Sequence, residues 1–315
     1  MTLAYRLNRF WFCEASPRRL ALLRLLVGGY ALWYVAGRLG FLVRVAERTD
    51  PAFFSPVGVA ALLAQPLPAG VYRGVGVFTI WLGVMFVMGC WHRVVGPFFA
   101  GCLLFLLCYR NSWLMVYHSE NLLVLHVLIL GVTRSADAWS LDAWMRGPSV
   151  AEPLGHAKTS WRYGWPIRLI CTVTAATYLL AAVAKVAGPL GWSWATGTAM
   201  RGQVAVDALR KELLGDGASP LVSLLYDHVW LFAVLGVATL ILEFVAPLAV
   251  FNTRFGRFWA AAAFLMHWGI LGVMGIKFRY CLSGIAFAAF YCIGRARPLF
   301  KEQMEAPPSA LAVPG

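Results

Sequence analysis

Apolar blocks approaching the thickness of a bilayer recur along this chain, and no other feature restricts its fold as much. They run approximately over 20–42, 75–91, 94–109, 114–133, 165–187, 229–251, 257–275 and 280–294, the last being the shortest. A hydrocarbon core offers the backbone no hydrogen-bond partners, so only helices and closed barrels can cross it. Barrel strands alternate with period two, whereas these blocks are continuous, which predicts helices. The expected fold is all-α: a polytopic integral membrane helical bundle of about eight transmembrane helices plus interfacial helices. Composition agrees. Of the 315 residues, 60% are hydrophobic and 13% charged, with a mean hydropathy of +0.70. A soluble domain carries about 25% charged residues.

The net charge of +13 raises the question of nucleic acid. The basic residues are spread through short connecting loops and form no stripe with interleaved aromatics, so nucleic acid is excluded and membrane lipids, through their anionic headgroups, are the expected partner. Tryptophans near segment ends (Trp91, Trp113, Trp161, Trp165, Trp192, Trp194, Trp230) read as interfacial belts. The seven cysteines form no CxxC pair and the six histidines no HxxxH pattern, so neither a disulfide framework nor a metal site is expected. No P-loop, GxSxG or HExxH motif occurs, and no GxGxxG stands at a strand–helix junction.

Along the chain, Arg6, Arg9, Arg18 and Arg19 precede the first block without a small-residue cleavage site, which predicts a retained helix. Trp91-His92-Arg93 reads as a tight hairpin, and Ser140-Leu-Asp142 as a helix start. The proline-rich loop 43–72 surrounds an apolar patch too short to span, Val57 to Ala64, which predicts an interfacial or re-entrant piece. Residues 201–228 are charged, with a helix near Val204 to Leu214, and the tail after Arg297 reads as disordered. There is no internal repeat and no second domain. The loop Lys and Arg bias places the N-terminus in the cytoplasm, which puts Lys185 near the outer end of its segment and His118 near the outer leaflet.

Polar groups inside apolar blocks are the candidate functional residues. Lys185 lies in Tyr178-Leu-Leu-Ala-Ala-Val-Ala-Lys185-Val-Ala-Gly188. An ammonium at a helix centre in hydrocarbon costs roughly 2.5 to 3.5 kcal/mol. Three readings account for it: snorkelling to the outer headgroups, an ion pair with Glu243 or Glu120, or a base whose apolar neighbours disfavour the ammonium. Tyr178, seven residues earlier, shares its helix face. In Tyr117-His118-Ser-Glu120-Asn121, His118 and Asn121 are three apart, spaced either to hold an oxyanion from one helix face or to form a helix start capped by Ser119 or Asn121. Glu243, in Leu240-Ile-Leu-Glu243-Phe-Val, needs a proton or a partner; Lys185, Arg24 and Arg38 are the candidates, and Arg24 in the first segment leads as a structural pair. His267, mid-segment in Phe264-Leu-Met-His267-Trp268, reads either as a hydrogen-bonded core residue or as a functional one.

These strings, in their order, resemble the membrane region of vitamin K-dependent gamma-carboxylases and their bacterial relatives, the HTTM (horizontally transferred transmembrane) proteins. The resemblance rests on Tyr178 to Lys185 followed by Gly191-Trp192-Ser-Trp194-Ala-Thr-Gly197. It also rests on Arg24-Leu-Leu-Val-Gly28, Gly89-Cys-Trp-His-Arg93, Asn121-Leu-Leu, Ser140-Leu-Asp142, Leu242-Glu243 and Phe264-Leu-Met-His267. It covers roughly residues 15–295 and implies a single HTTM-like transmembrane domain over 1–298 with a disordered tail over 299–315. By resemblance Lys185 is the base that deprotonates a reduced, vitamin K-like quinone, starting quinone-dependent carboxylase or epoxidase-type chemistry. His118 assists, although its offset from Asn121 departs from the adjacent Asn-His of the family, and Tyr178, His267 and Asn121 line the cofactor. No metal is implied. The carboxylases carry a large extramembrane C-terminal region, whereas this chain ends about 20 residues after its last apolar block. That length points to a lipid-soluble substrate or to a partner protein supplying a soluble domain. The bacterial relatives imply a bacterial-type plasma membrane. Two other readings stand beside this one: a non-catalytic membrane assembly or lipid-binding module with Lys185 paired to Glu243, and a transporter, which would need the matched interrupted helices that the sequence lacks.

Overall fold

Two prolines and two glycines set much of where the helices begin and end. The computed structural model describes residues 7–8, 10–113, 116–147 and 159–292, so the expected disordered tail lies outside the described residues. Helix α1 (Pro17–Arg48) starts with proline at its first position and Ser16 as N-cap, the serine oxygen accepting from Arg18 N–H. It packs along α2 (Ala69–Met88), and α3 (His92–Asn111) folds back beside α2. Between α2 and α3, Gly89 has φ +64°, and a Cβ there would lie 2.4 Å from Ser140 Cβ and 2.8 Å from an Arg24 nitrogen. Helix α4 (Asn121–Val132) returns against α3, and the short α5 (Leu141–Met145) lies in the connection that follows it.

The second half opens with α6 (Trp161–Ala187), capped by Ser160, whose main chain pairs with Ala15 just before α1. Then come α7 (Thr198–Leu213), α8 (Pro220–Leu225), α9 (Val229–Phe244), α10 (Leu248–Phe251) and α11 (Thr253–Met274), followed by α12 (Arg279–Leu282) and α13 (Ala289–Cys292). Pro247 lies three residues beyond α9, where a helix interior would exclude it. No strand is present among the described residues.

Among the described residues five helices are long and apolar enough to cross a membrane: α1, α2, α3, α6 and α11. Two shorter apolar helices, α4 and α9, of 12 and 16 residues, fall where longer blocks, 114–133 and 229–251, were expected. Of the eight expected spans, five meet this measure of length and apolarity among the described residues. The block at 280–294 is, through Cys292, three short helical pieces interrupted at Gly284, which has φ +76°. The fourth block becomes helical only at Asn121, because the chain before it turns to satisfy Arg110 and Asn111, both of which donate to Tyr117 O. The patch Val57 to Ala64 contains one short 3-10 helix, Gly58–Leu62, as its length required.

The termini of these helices define two ends of the bundle. One end holds the start of α1, the α2–α3 hairpin, the end of α4 and the start of α6. Arg24 reaching Ser135 O and the Ala15–Ser160 bridge tie these together. The opposite end holds the end of α3, the start of α4, and the end of α6 with the α7–α8 segment beyond it.

Candidate functional site

Lys185 occupies the last turn of α6, and Glu243 the last turn of α9. The lysine Nζ donates to both carboxylate oxygens, at 2.6 Å to Oε1 and 2.8 Å to Oε2. The carboxylate side chain is 5% exposed and the lysine 21%, so the pair is buried from one side and open on the other. The indole of Trp194 covers the ammonium, its ring centre 5.5 Å from Nζ. Trp194 is held there by a strap, the 3-10 turn Gly191–Trp194, that lies directly on α9. The approach requires a glycine at 236, since a Cβ there would stand 2.1 Å from Trp194 O. A cation between a carboxylate and an aromatic face is held by charge and by the ring quadrupole together. Of the sequence readings of Lys185, the ion pair with Glu243 is the one observed. The pairing of Glu243 with Arg24 is corrected, and so is Glu120 as a partner for Lys185.

Tyr178 lies two turns before Lys185 on α6. Its ring meets Trp259 edge-on at 5.0 Å and His267 at 6.0 Å. His267 Nδ1 is 2.8 Å from Ala263 O and 3.5 Å from the Tyr178 hydroxyl. A carbonyl only accepts, so Nδ1 carries the hydrogen and the hydroxyl is its second, longer contact. Phe278 packs edge-on to His267 at 5.3 Å, and the exposed His118 ring lies 5.8 Å from Phe278 on its other contact. His118 thus stands near this group but separated from His267 by a phenylalanine. It also lies toward the same end of the bundle as Lys185: α4 and α6 run in opposite directions and touch at His126 and Thr174, so residues before 126 match residues after 174.

His118 and Asn121 do not share a helix face. The helix begins at Asn121, whose main-chain N–H donates to His118 O in a turn at 3.1 Å, and Asn121 is exposed. The N-cap is Glu120 without a side-chain cap, not Ser119 or Asn121. Glu120 instead pairs with Arg110 at 3.0 Å, both side chains 7% exposed, and takes Ser119 Oγ at 2.6 Å, while Arg110 also donates to the Tyr34 hydroxyl at 2.7 Å. Arg24 is fully buried and donates to the carbonyls of Ser135, Ala138 and Trp139, which fastens the connection after α4 to α1. In the same corner the Asp142 carboxylate accepts from Trp91 N and His92 N at 2.8 and 2.9 Å and so caps α3.

The strings behind the resemblance therefore gather in two places. Arg24, the Gly89 to Arg93 hairpin and Ser140-Leu-Asp142 meet at one end. Tyr178, Lys185, Glu243 and His267 lie on three adjoining helices in the other half. Several buried polar groups were not singled out from the sequence, among them fully buried His126, with Nδ1 2.8 Å from the Tyr280 hydroxyl and Nε2 3.0 Å from Thr174 Oγ1. A histidine inside Leu-Val-Leu-His126-Val-Leu signals that partners are needed, but not which ones. Among the described residues no group of three or more His, Cys, Asp or Glu is arranged to hold a metal ion. No family model, no curated protein and no solved structure matches the chain. What the fold defines is a class: an all-helical chain with several helices fit to cross a membrane, as in a multi-pass membrane protein.

Proposed function

We propose that this chain is a multi-pass membrane protein in which the Lys185–Glu243 pair performs acid–base chemistry on a lipophilic, proton-bearing substrate of the reduced-quinone type. The observation that supports the reading is the geometry of the pair: an ammonium held by both oxygens of a buried carboxylate, open on one side. In the ammonium–carboxylate form the accepting atom is a Glu243 oxygen. The hydroquinone O–H bond breaks with its electron pair left on oxygen, the proton passes to the carboxylate, and the Lys185 ammonium becomes the counter-ion of the phenolate. The base is thereby the pair rather than Lys185 alone. The proposal keeps the HTTM-like kinship as its source for the substrate class, and keeps His118 and His267 as secondary groups on the same side. It also places the N-terminus in the cytoplasm of a bacterial-type plasma membrane and leaves a place for a partner protein with a soluble domain.

A second reading, a non-catalytic assembly or lipid-binding module, draws on the same pair, because two contacts from one ammonium also fasten α6 to α9. One experiment separates them. The protein is purified in native-lipid nanodiscs, supplied with reduced menaquinone, and followed for oxygen-dependent loss of the quinol, alongside Lys185→Arg and Glu243→Gln. Arginine keeps the charge and the carboxylate contact, but its planar guanidinium cannot take the position of a compact ammonium that faces both carboxylate oxygens and the substrate oxygen. The chemical reading expects quinol loss in the wild type and its collapse in both variants. Full retention in Lys185→Arg, or no turnover in the wild type, favours the module.

A further inference from the structure

The segment between Lys185 and α9 carries a stripe that none of the described residues covers. Val206, Leu209 and Leu213 follow one another at helical spacing on α7, each between 61% and 79% exposed. The opposite side of the same helix is fixed to the bundle. Val204 and Asp207 are buried there, Asp207 takes Arg210 at 2.6 Å and Lys211 at 2.8 Å, and the Lys211 ammonium also donates to Met274 O, the last carbonyl of α11. Ser219 Oγ, just past α7, donates to Gly272 O of the same helix end at 2.6 Å. Helix α7 is thus pinned at the level where a membrane-length helix stops, which is the level of the bilayer interface.

Two further observations say what covers the stripe. Trp192 before α7 and Trp230 after it are both about two-thirds exposed, at 66% and 67%, and tryptophan so placed marks the headgroup boundary. Arg210, half exposed, lies beside the stripe on the same helix, positioned to meet a phosphate while the leucines meet acyl chains. Water facing the stripe would leave three large aliphatic side chains solvated with no return.

We propose that α7 is an interfacial helix that lies in the plane of the membrane, with Val206, Leu209 and Leu213 inserted into the acyl layer of the leaflet nearest Lys185. This reading does not depend on the chemistry assigned to Lys185.

The test is depth-resolved quenching in nanodiscs of mixed phosphatidylcholine and phosphatidylglycerol. Leu209→Cys and Leu213→Cys are each labelled with an environment-sensitive fluorophore, with Asp216→Cys in the exposed loop after α7 as the water-facing reference. Both leucine positions are on the surface, so the substitutions leave the fold intact, and the unsubstituted chain corrects for labelling of its native cysteines. Expected is blue-shifted emission at 209 and 213, quenched several-fold more by acyl-chain spin labels than at 216. Water-like emission at 209 and 213 overturns the proposal. So does blue-shifted emission that lipid spin labels leave untouched while Leu209→Cys forms disulfide-linked dimers, since the occupant is then a second copy of the chain.

Discussion

Cations withdrawn from water persist in this protein where oxygens surround them, and each is met differently. Arg24 spreads its donors over three main-chain carbonyls, Arg110 uses Glu120 and the Tyr34 hydroxyl, Arg168 reaches Val250 O, and Lys185 takes both oxygens of Glu243. The guanidinium of Arg24 is a staple, and its removal leaves the carbonyls of Ser135, Ala138 and Trp139 without their donor. Arg24→Met is expected to cost about 3 kcal/mol, read as a fall in the unfolding midpoint in detergent, and Arg24→Lys to recover only part of it because one ammonium cannot span three acceptors. The ion pair behaves otherwise. Lys185→Met strands a buried carboxylate and is expected to cost about 3 kcal/mol, whereas Lys185→Met with Glu243→Gln removes both charges and returns to within about 1 kcal/mol of the parent. A double-mutant cycle that shows simple additivity would disprove the coupling. Spacing in the sequence showed that Glu243 and Lys185 each needed a partner, but two residues on different helices carry no record of how those helices cross. Arg24 therefore looked a better partner for Glu243 than Lys185 did. His126 stands in an apolar run that implied burial, while Thr174 and Tyr280, far along the chain, were not legible as its hydrogen-bond partners.

At the level of helices, hydropathy located the apolar blocks well and their ends poorly, since ends are set by caps, prolines and glycines rather than by apolarity. Thus α9 stops short of Pro247, and the last block breaks at Gly284. Packing between helices was less legible still, and α3 with α4 shows why. Gly96 and Gly131 face each other so closely that a Cβ on Gly96 would lie 2.3 Å from Gly131 O, and one on Gly131 2.6 Å from Gly96 O. The neighbouring atoms are backbone and cannot rotate away. Small residues at such crossings let helices in lipid gain dispersion contacts and weak main-chain interactions. Gly96→Ala is therefore expected to destabilise by about 2 kcal/mol, the usual scale of overpacking. Gly101→Ala on the same helix meets nothing within 4 Å and is expected to stay within about 0.5 kcal/mol of the parent. Equal unfolding midpoints for the two variants would mean that α3 and α4 do not cross at that point.

Across the whole molecule the two ends differ in charge, and the difference bears on which way the chain sits in a membrane. The end that holds the start of α1 and the α2–α3 hairpin carries exposed Arg93, Arg134, Arg146, Arg162, Arg254 and Arg257. Its described acids are Glu14, Asp137 and Asp142, of which Asp137 is engaged by Arg146 and Asp142 caps α3. At the other end acids and bases are closer to balance: Asp207 offsets Arg210 and Lys211, Glu243 offsets Lys185, and Glu120 offsets Arg110. Exposed arginine is retained on the cytoplasmic side, so the arginine-rich end is expected inside and the Lys185 end with α7 outside. In right-side-out vesicles a membrane-impermeant thiol reagent should label Asp216→Cys directly and Trp144→Cys, 79% exposed in the parent, only after permeabilisation. The reverse pattern would invert the orientation and bring Lys185, the strap that covers it and the interfacial helix to the cytoplasmic leaflet together, because all three are fixed to the same helix ends.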